Sequence, residues 1–406
     1  MTTRIMLVLI AASAAACATE LGDGGAFDDE DADASGDDGV VGDEDGDGDD
    51  GDPGGGAAPS SLFHVDGNRI VDATGATVRL TGINWFGLET ASYAPHGLWQ
   101  RSMTSMLDQV ASLGFNVLRV PFSSQLFDAG SAPTGIDLSL NPELAGKTGP
   151  EVMDALVAAA GARGLRVILD RHRPGSDAQS PLWYTAAYSE ERWIADWVAL
   201  AARYRDNPTV IGFDLHNEPH GEATWGDGNA ATDWRAAATR AGNAILAVHP
   251  DLLIFVEGVE QVGSDFYWWG GNLRGAATAK VELDVPGRVV YSPHEYPSSV
   301  YAQSWFQDPA YPNNLPGVWG ASFGYLATGG AAPLLLGEFG TKYESDSDKQ
   351  WLAALADYIG QNQLSFTYWS LNPNSGDTGG ILEDDWLTVR EDKMAVLAPI
   401  LAPPLP

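Results

Sequence analysis

The sequence has one cysteine, Cys17, among 406 residues. No intrachain disulfide can form, so the fold must draw its rigidity from packing and hydrogen bonds. Basic residues are also few: 22 Lys and Arg face 55 Asp and Glu, for a formal net charge of −33. Binding a phosphate backbone needs clustered Lys and Arg, which excludes nucleic acid as a partner. A neutral or cationic substrate is expected instead. The apolar run at residues 5–16 is too short for an ordinary membrane span. No internal repeat is evident. No Gly-rich phosphate loop follows the first strand candidate, which weighs against a nucleotide-binding, doubly wound sheet.

A chain with so little cysteine would suit a reducing compartment, but its N-terminus reads otherwise. Arg4 supplies positive charge, residues 5–16 are apolar, and Ala14, Ala15 and Ala16 run up to Cys17. This is a signal-peptide pattern. The run Ala14-Ala15-Ala16-Cys17 resembles a lipobox, with Ala14 where Leu is typical. Residues 1–17 are therefore expected to be a lipoprotein-type signal with Cys17 lipidated, giving a secreted or cell-surface protein with possible membrane attachment. Ordinary cleavage is the alternative. Residues 18–60 form a linker, and from Asp28 to Asp52 it is mostly Asp and Gly. Such a segment buries too little apolar surface to order itself, and repulsion between aspartates keeps it extended. Asp43, Asp45, Asp47 and Gly48 resemble a calcium loop, but its twelfth position is Gly54 and not the bidentate Glu required.

Residues 61–406 are hydrophobic enough for a large core. Residues 62–80 read as a β-hairpin that turns at Asp66-Gly67-Asn68. Strand candidates follow at 78–84, 115–120, 165–170, 209–217, 252–256, 288–294, 333–338 and 365–371. Helix candidates lie at 101–113, 150–164, 189–206, 230–247 and 347–361. The strands are nearly continuous apolar runs, such as Arg166-Val167-Ile168-Leu169, as parallel strands covered on both faces require. The fold class expected is α/β: a (β/α)8 TIM barrel with an N-terminal β-hairpin, preceded by a disordered acidic linker. An open, doubly wound sheet is the alternative.

A barrel of this kind carries its active site at the C-terminal ends of the strands. Polar motifs fall there: Leu118-Arg119-Val120-Pro121, Asp170-Arg171-His172-Arg173, His216-Asn217-Glu218-Pro219, His294-Glu295-Tyr296, Leu336-Gly337-Glu338-Phe339 and Tyr368-Trp369-Ser370. Each alone is weak, since a Glu after a strand is usually a capped loop. Six in register with the strand count make a strong signal. Glycosidic cleavage typically needs two carboxyl groups, about 5–5.5 Å apart in a retaining enzyme. Glu218 and Glu338 are that pair, as acid/base and nucleophile. Arg119 is placed to hold the nucleophile charged, or only to support the barrel top as an ion pair. Asn217 is placed to bond the sugar 2-hydroxyl, Tyr296 to donate to the nucleophile, and His172 and His294 to bind sugar hydroxyls or orient the carboxylates. The sequence has 14 Trp. Trp99, Trp269 and Trp369 fall in barrel-top segments where flat apolar rings can stack on sugars. Trp85, Trp268, Trp305 and Trp319 are weaker candidates, some of them core.

On these residues, and on longer blocks, the sequence resembles glycoside hydrolase family 5, in its bacterial endo-β-1,4-glucanase (cellulase) branch. The blocks are Gly82-Ile83-Asn84-Trp85-Phe86-Gly87, His96-Gly97-Leu98-Trp99, Tyr267-Trp268-Trp269-Gly270-Gly271 and Asn374-Ser375-Gly376-Asp377-Thr378-Gly379-Gly380. The resemblance covers residues 62 to about 400. It implies the same fold, a β-glucan substrate, no cofactor or metal, and functional positions at Arg119, His172, Asn217, Glu218, His294, Tyr296, Glu338 and Trp369. One departure is the absence of barrel-top disulfides. Ala91, Ser176, Thr224 and Asp227 occupy loop stretches where they would be sought. The chain is expected to act as a monomer.

Other readings remain open. β-Mannan or xyloglucan are alternative substrates on the same barrel. A metal-dependent barrel hydrolase would use His172, His216 and His294 as ligands, but the first strand, Gly82-Ile83-Asn84-Trp85, lacks the usual His-x-His pair. A non-catalytic carbohydrate-binding barrel would have been suggested by loss of either Glu, and both are present.

Overall fold

The computed structural model describes residues 63–406. Cys17, the signal segment and the acidic linker lie outside the described residues. Strands β1 (Phe63–Asp66) and β2 (Arg69–Asp72) pair antiparallel across Gly67-Asn68. Gly67 sits at φ +60°, a left-handed turn conformation that a side chain would strain. β3 (Thr77–Val78) extends this small sheet. It takes the start of the stretch read as the first barrel strand, so that strand, β4, is shorter: Thr81–Asn84.

The barrel strands that follow are β5 (Val117–Ser123), β6 (Arg166–Arg173), β7 (Val210–Asp214) and β8 (Leu253–Val256). A two-stranded loop hairpin, β9 (Gln261–Val262) and β10 (Asp265–Phe266), intervenes. The barrel then completes with β11 (Val289–Tyr291), β12 (Leu335–Leu336) and β13 (Ser365–Tyr368). All pairings in this eight-stranded sheet are parallel, in the order β11-β8-β7-β6-β5-β4-β13-β12. Single parallel bridges, Tyr291 to Leu334 and His294 to Glu338, close the two ends on each other. This is the expected (β/α)8 barrel.

Helices α1 (Met103–Ser112), α2 (Gly149–Gly161), α3 (Glu190–Arg203) and α4 (Trp234–Val248) cover the strands. They start where polar caps allow. Ser102, Ser189 and Asp233 each accept a backbone N–H of the first turn, and Thr148 and Glu151 form a capping box. Two short helices, α5 (Leu315–Trp319) and α6 (Tyr325–Thr328), flank a widened turn and precede α7 (Asp346–Asn362) and α8 (Glu391–Leu397).

Strand alternation divides the core in two. Outward residues such as Leu118, Val120, Val167, Leu169, Ile254 and Val256 pack under the helices. Inward residues Val117, Ile168, Ile211, Leu253, Phe255, Val290 and Leu335 fill the lumen, together with Phe63 and Ile70 of the N-terminal hairpin. The hairpin thus plugs the barrel. Phe63→Ala would open that plug, at a cost of about 3–5 kcal/mol.

Candidate active site

Two residues beyond the apolar plug, the same inward face turns polar. Arg119 follows Val117, Asp170 follows Ile168, and Glu257 follows Phe255 at this spacing, and all three are fully buried. Arg119 becomes the hub. Its Nε donates to Asp214 Oδ2 at 3.0 Å, and its Nη1 donates to Asn84 Oδ1 at 3.0 Å and Glu338 Oε1 at 2.7 Å. Its Nη2 donates to Asn217 Oδ1 at 3.1 Å and stands 3.2 Å from Asp170 and 3.3 Å from Glu257. Burial alone would lower its pKa, but four carboxylates hold the guanidinium firmly charged.

Glu218 leaves β7 through a pinned backbone. Trp193 and Trp197, one turn apart on α3, both donate indole N–H bonds to the Leu215 carbonyl, at 2.9 and 3.1 Å. Glu218 itself takes φ +54°, a left-handed conformation that costs a non-glycine residue about 1–2 kcal/mol. Its N–H donates to Glu257 Oε2 at 2.7 Å, which helps to offset that cost. Its carboxylate accepts from Gln179 at 3.2 Å and faces His294 Nδ1 at 3.0 Å. Across the lumen, Glu338 accepts from Tyr296 Oη at 2.6 Å on its second oxygen. Oxygens of Glu218 and Glu338 lie within 4.8 Å of each other, with a His294 ring nitrogen in the same group.

The charges follow from these contacts. Burial alone would lower His294, but Glu257, Glu338 and Glu218 outweigh it and hold the imidazole protonated. Its Nε2 is 3.2 Å from Glu257 Oε1, an ion-pair distance reached too obliquely for a good hydrogen bond. Burial pushes Glu218 up, yet the hydrogen bond and charge of His294 bring it below the ordinary glutamate value. Burial drives His172 down to about 3, so it is neutral, and its Nδ1 bonds Asp170 at 2.6 Å. Burial and the adjacent Glu338 push Tyr296 well above the usual tyrosine range, so it remains a donor. The amide nitrogen of Asn217 is buried and has no hydrogen-bond partner.

These groups form the floor of a cleft of about 870 Å³. Trp369 lies on one side, stacked between His172 at 5.3 Å and Phe86 at 5.4 Å. Trp268, Trp269, Phe266 and Tyr301 also line it. Trp269 is 42% exposed, its ring held flat on His220 at 3.7 Å. Two carboxylates at this separation, one gripped by an arginine and a tyrosine and the other by a histidine, suit attack and proton transfer at one carbon.

A family model described as Cellulase (glycosyl hydrolase family 5) matches residues 71–375. The chain belongs to glycosyl hydrolase family 5. It is 56% identical over 352 residues to an endoglucanase of Paenibacillus polymyxa, covering 86% of this chain and 89% of that one. It is 47% identical over 350 residues to the major extracellular endoglucanase of Xanthomonas campestris pv. campestris, covering 84% and 72%. The solved catalytic domain of that Xanthomonas enzyme superposes with a TM-score of 0.79 at 45% identity, over 84% of this chain and 99% of that one. An endocellulase from Pyrococcus horikoshii, solved with cellotetraose, gives 0.80 at 41% identity, over 85% and 100%.

In this family 5 barrel, His172, Glu218, Tyr296 and Glu338 line the cleft floor, Arg119, Asn217 and His294 are buried behind them in the same hydrogen-bond network, and Trp269 and Trp369 reach its walls. Trp99 is 40% exposed but lies outside the cleft lining, edge-on to Trp386 at 5.1 Å, with His96 packed beside it. Of the weaker tryptophans, Trp268 lines the cleft, Trp305 stacks behind on Tyr267, and Trp85 and Trp319 are fully buried. His216 points away from the cleft, to Arg171 at 3.0 Å and the Ser180 carbonyl at 3.2 Å. Three acidic and histidine triads offer ligand spacing: Asp170/His172/Glu338, Asp214/Glu257/His294 and Glu218/His294/Glu338. Arg119 already serves carboxylates in all three. Sequence reasoning missed Asn84, Gln179 and Glu257. Asn84 ends one, and Glu257 directly follows the other, of the two barrel strands whose termini went unread, and an acid directly after Phe255-Val256 was the available signal. The loops without cysteines are tied by other means: Tyr93 bonds Ser176 at 3.3 Å, and Asp233 accepts Gly226 and Gly228 N–H at 2.9 Å.

Proposed function

We propose that this protein is a retaining endo-β-1,4-glucanase that cleaves internal bonds of cellulose-type β-glucan, with Glu338 as nucleophile and Glu218 as acid/base. The observation that carries this reading is that oxygens of the two carboxylates come within 4.8 Å of each other at the cleft floor, consistent with the about 5–5.5 Å of a double displacement and short of the roughly 6.5–9.5 Å that an inverting enzyme needs. Glu338 attacks the anomeric carbon and forms an ester bond to it as the glycosidic C–O bond breaks. The leaving oxygen takes a proton from Glu218. Water then attacks the same carbon, the ester bond breaks, and the water proton returns to Glu218. Arg119 and Tyr296 hold the attacking carboxylate in place, one on each oxygen. The unpartnered Asn217 amide suits a sugar 2-hydroxyl, a contact that strengthens in the oxocarbenium-like transition state. Trp369 suits stacking on the sugar held at Glu338, Trp269 on the sugar that leaves, and Trp99 on sugars further along the chain. Relatives named endoglucanase, and the endocellulase held with cellotetraose, support the choice of β-glucan over mannan or xyloglucan.

Residues 61–406 act as one catalytic domain and as a monomer. Residues 1–17 direct export and Cys17 carries the lipid, with 18–60 as spacer. The extracellular Xanthomonas relative supports secretion. Reducing-sugar release and viscosity on carboxymethylcellulose, mannan and xyloglucan test the substrate. Carboxymethylcellulose should be cut fastest, with viscosity falling ahead of reducing ends. Faster release from mannan or xyloglucan would transfer the assignment there, and release from none would end the glycosidase reading.

A further inference from the structure

Glu257 touches none of the space a sugar would fill, yet it contacts both groups that govern Glu218. It directly follows β8, is fully buried, and is held by its own carbonyl, which accepts the Trp234 indole N–H at 2.9 Å. Its carboxylate accepts from the Glu218 N–H at 2.7 Å and from Arg119 Nη2 at 3.3 Å, and His294 Nε2 stands 3.2 Å from it at ion-pair distance. Burial pushes this carboxyl well up, but the Glu218 N–H and the Arg119 guanidinium can only donate to it, which favours the anion beside a protonated His294. The imidazole is equally constrained. Its two nitrogens lie 3.0 and 3.2 Å from oxygens of Glu218 and Glu257, and with Glu338 these carboxylates favour the protonated ring, which hydrogen-bonds Glu218 and pairs in charge with Glu257. Space for this carboxylate depends on Gly270. A Cβ there would lie 2.1 Å from Glu257 Oε2 and 3.2 Å from Glu218 Cα, and Gly270 itself sits at φ +65°.

We infer that Glu257 is a positioning residue for the acid/base: it fixes the Glu218 backbone in its left-handed turn and, through His294, keeps a proton within one hydrogen bond of the Glu218 carboxyl. This rests on the reading of Glu218 as acid/base. The proton on His294 Nδ1 and the Glu218 oxygen form one unit that loads the acid. As this proton passes from Nδ1 to Glu218 and on to the leaving oxygen, the ring is left neutral and Glu218 is again the anion. When water is deprotonated in the second half-reaction, the proton returns to the same unit. The other titratable groups facing the unit are Glu338, Arg119, Asp214, Asp170 and the neutral His172. All of them remain when Glu257 is changed.

The test is Glu257→Gln, which keeps the shape and an acceptor for the Glu218 N–H but removes the charge. Removing an anion lowers the proton affinity of the His294–Glu218 unit. The alkaline limb of kcat/KM should therefore move to lower pH. On cellotetraose, kcat/KM should fall by ~10²-fold, the scale of general-acid assistance. On dinitrophenyl β-cellobioside, whose leaving group needs no proton, kcat/KM should change little. Gly270→Ala, which displaces the carboxylate without removing it, should give the same split. Glu218→Ala is run alongside. If it lacks the split, the acid/base reading fails. If it shows the split and Glu257→Gln does not, only the present inference fails. An equal fall on both substrates would mark Glu257 as merely structural, and no fall on either would mark it as dispensable.

Discussion

Arg119→Met removes one buried cation and leaves four carboxylates without it. In the intact protein the guanidinium stands 3.2 Å from Asp170, 3.0 Å from Asp214, 3.3 Å from Glu257 and 2.7 Å from Glu338. Methionine keeps most of the volume and none of the charge. Deleting one partner of a buried ion pair costs about 3–5 kcal/mol, because the other charge stays buried and uncompensated. With four acceptors sharing one cation, the upper end, about 5 kcal/mol, is expected near pH 8. For a domain of this size that is a fall in Tm of roughly 10 °C. The pH dependence has a definite sign. Burial already pushes Asp170 up to about 6 and also raises Asp214 and Glu257. Without Arg119 all three rise further. A carboxyl whose folded value lies above its unfolded one weakens the fold as pH climbs from the unfolded value through the folded value. For Asp170 that window opens at 3.8. Near pH 4 Asp170 is largely neutral in the variant's fold, and Asp214 and Glu257 shift the same way, so its deficit should be smaller there and should reach full size by pH 8. Scanning calorimetry of wild type and variant at the two pH values measures this. Equal deficits, or none at pH 8, would refute the hub role.

The remaining predictions are briefer. Burial pushes Glu89, at the cleft edge, up from 4.5 to about 7, so its contribution to stability falls as pH rises through that window. Glu89→Gln should match wild type in Tm near pH 4 and exceed it above pH 7, by up to about 3 kcal/mol in stability, and a constant difference across pH would contradict this. Activity should follow a bell-shaped pH profile and survive EDTA, whereas loss to EDTA with recovery on adding zinc would overturn a metal-free mechanism. A chain starting near Pro59 should keep full activity and Tm. Full-length protein should fractionate with membranes and Cys17→Ser should not. A wild type found wholly soluble, with its mature N-terminus beyond Cys17, would replace the anchor with ordinary secretion.

Much of the fold was legible because barrel strands announce themselves. Runs such as Val167-Ile168-Leu169 must be buried on both faces, and each ends in a polar residue that a buried strand would not otherwise tolerate. The same rule exposed Arg119, Glu218 and Glu338. It failed where the polar residue was single and the motif short. Glu257 and Asn84 follow apolar runs as Arg119 does, but each looks like an ordinary loop start. The α5–α6 region escaped because Pro316, Gly320 and Gly324 break the helical pattern that tertiary packing of Leu315, Trp319 and Phe323 restores. Trp99 shows the limit for aromatics. Its segment lies at the barrel top, but whether an indole lines the cleft or packs beside it depends on neighbours distant in sequence, here Trp386.

The stereochemistry of azide rescue tests the central claim most directly. Glu338→Ala, assayed on an aryl β-cellobioside, should lose several orders of magnitude in turnover. Added azide should partly restore it, because a small anion can occupy the face from which the missing carboxylate attacked. The product, followed by NMR, should be the α-cellobiosyl azide. Near-normal turnover of Glu338→Ala without azide, or rescue that yields the β-azide, would contradict the assignment of Glu338 as the nucleophile.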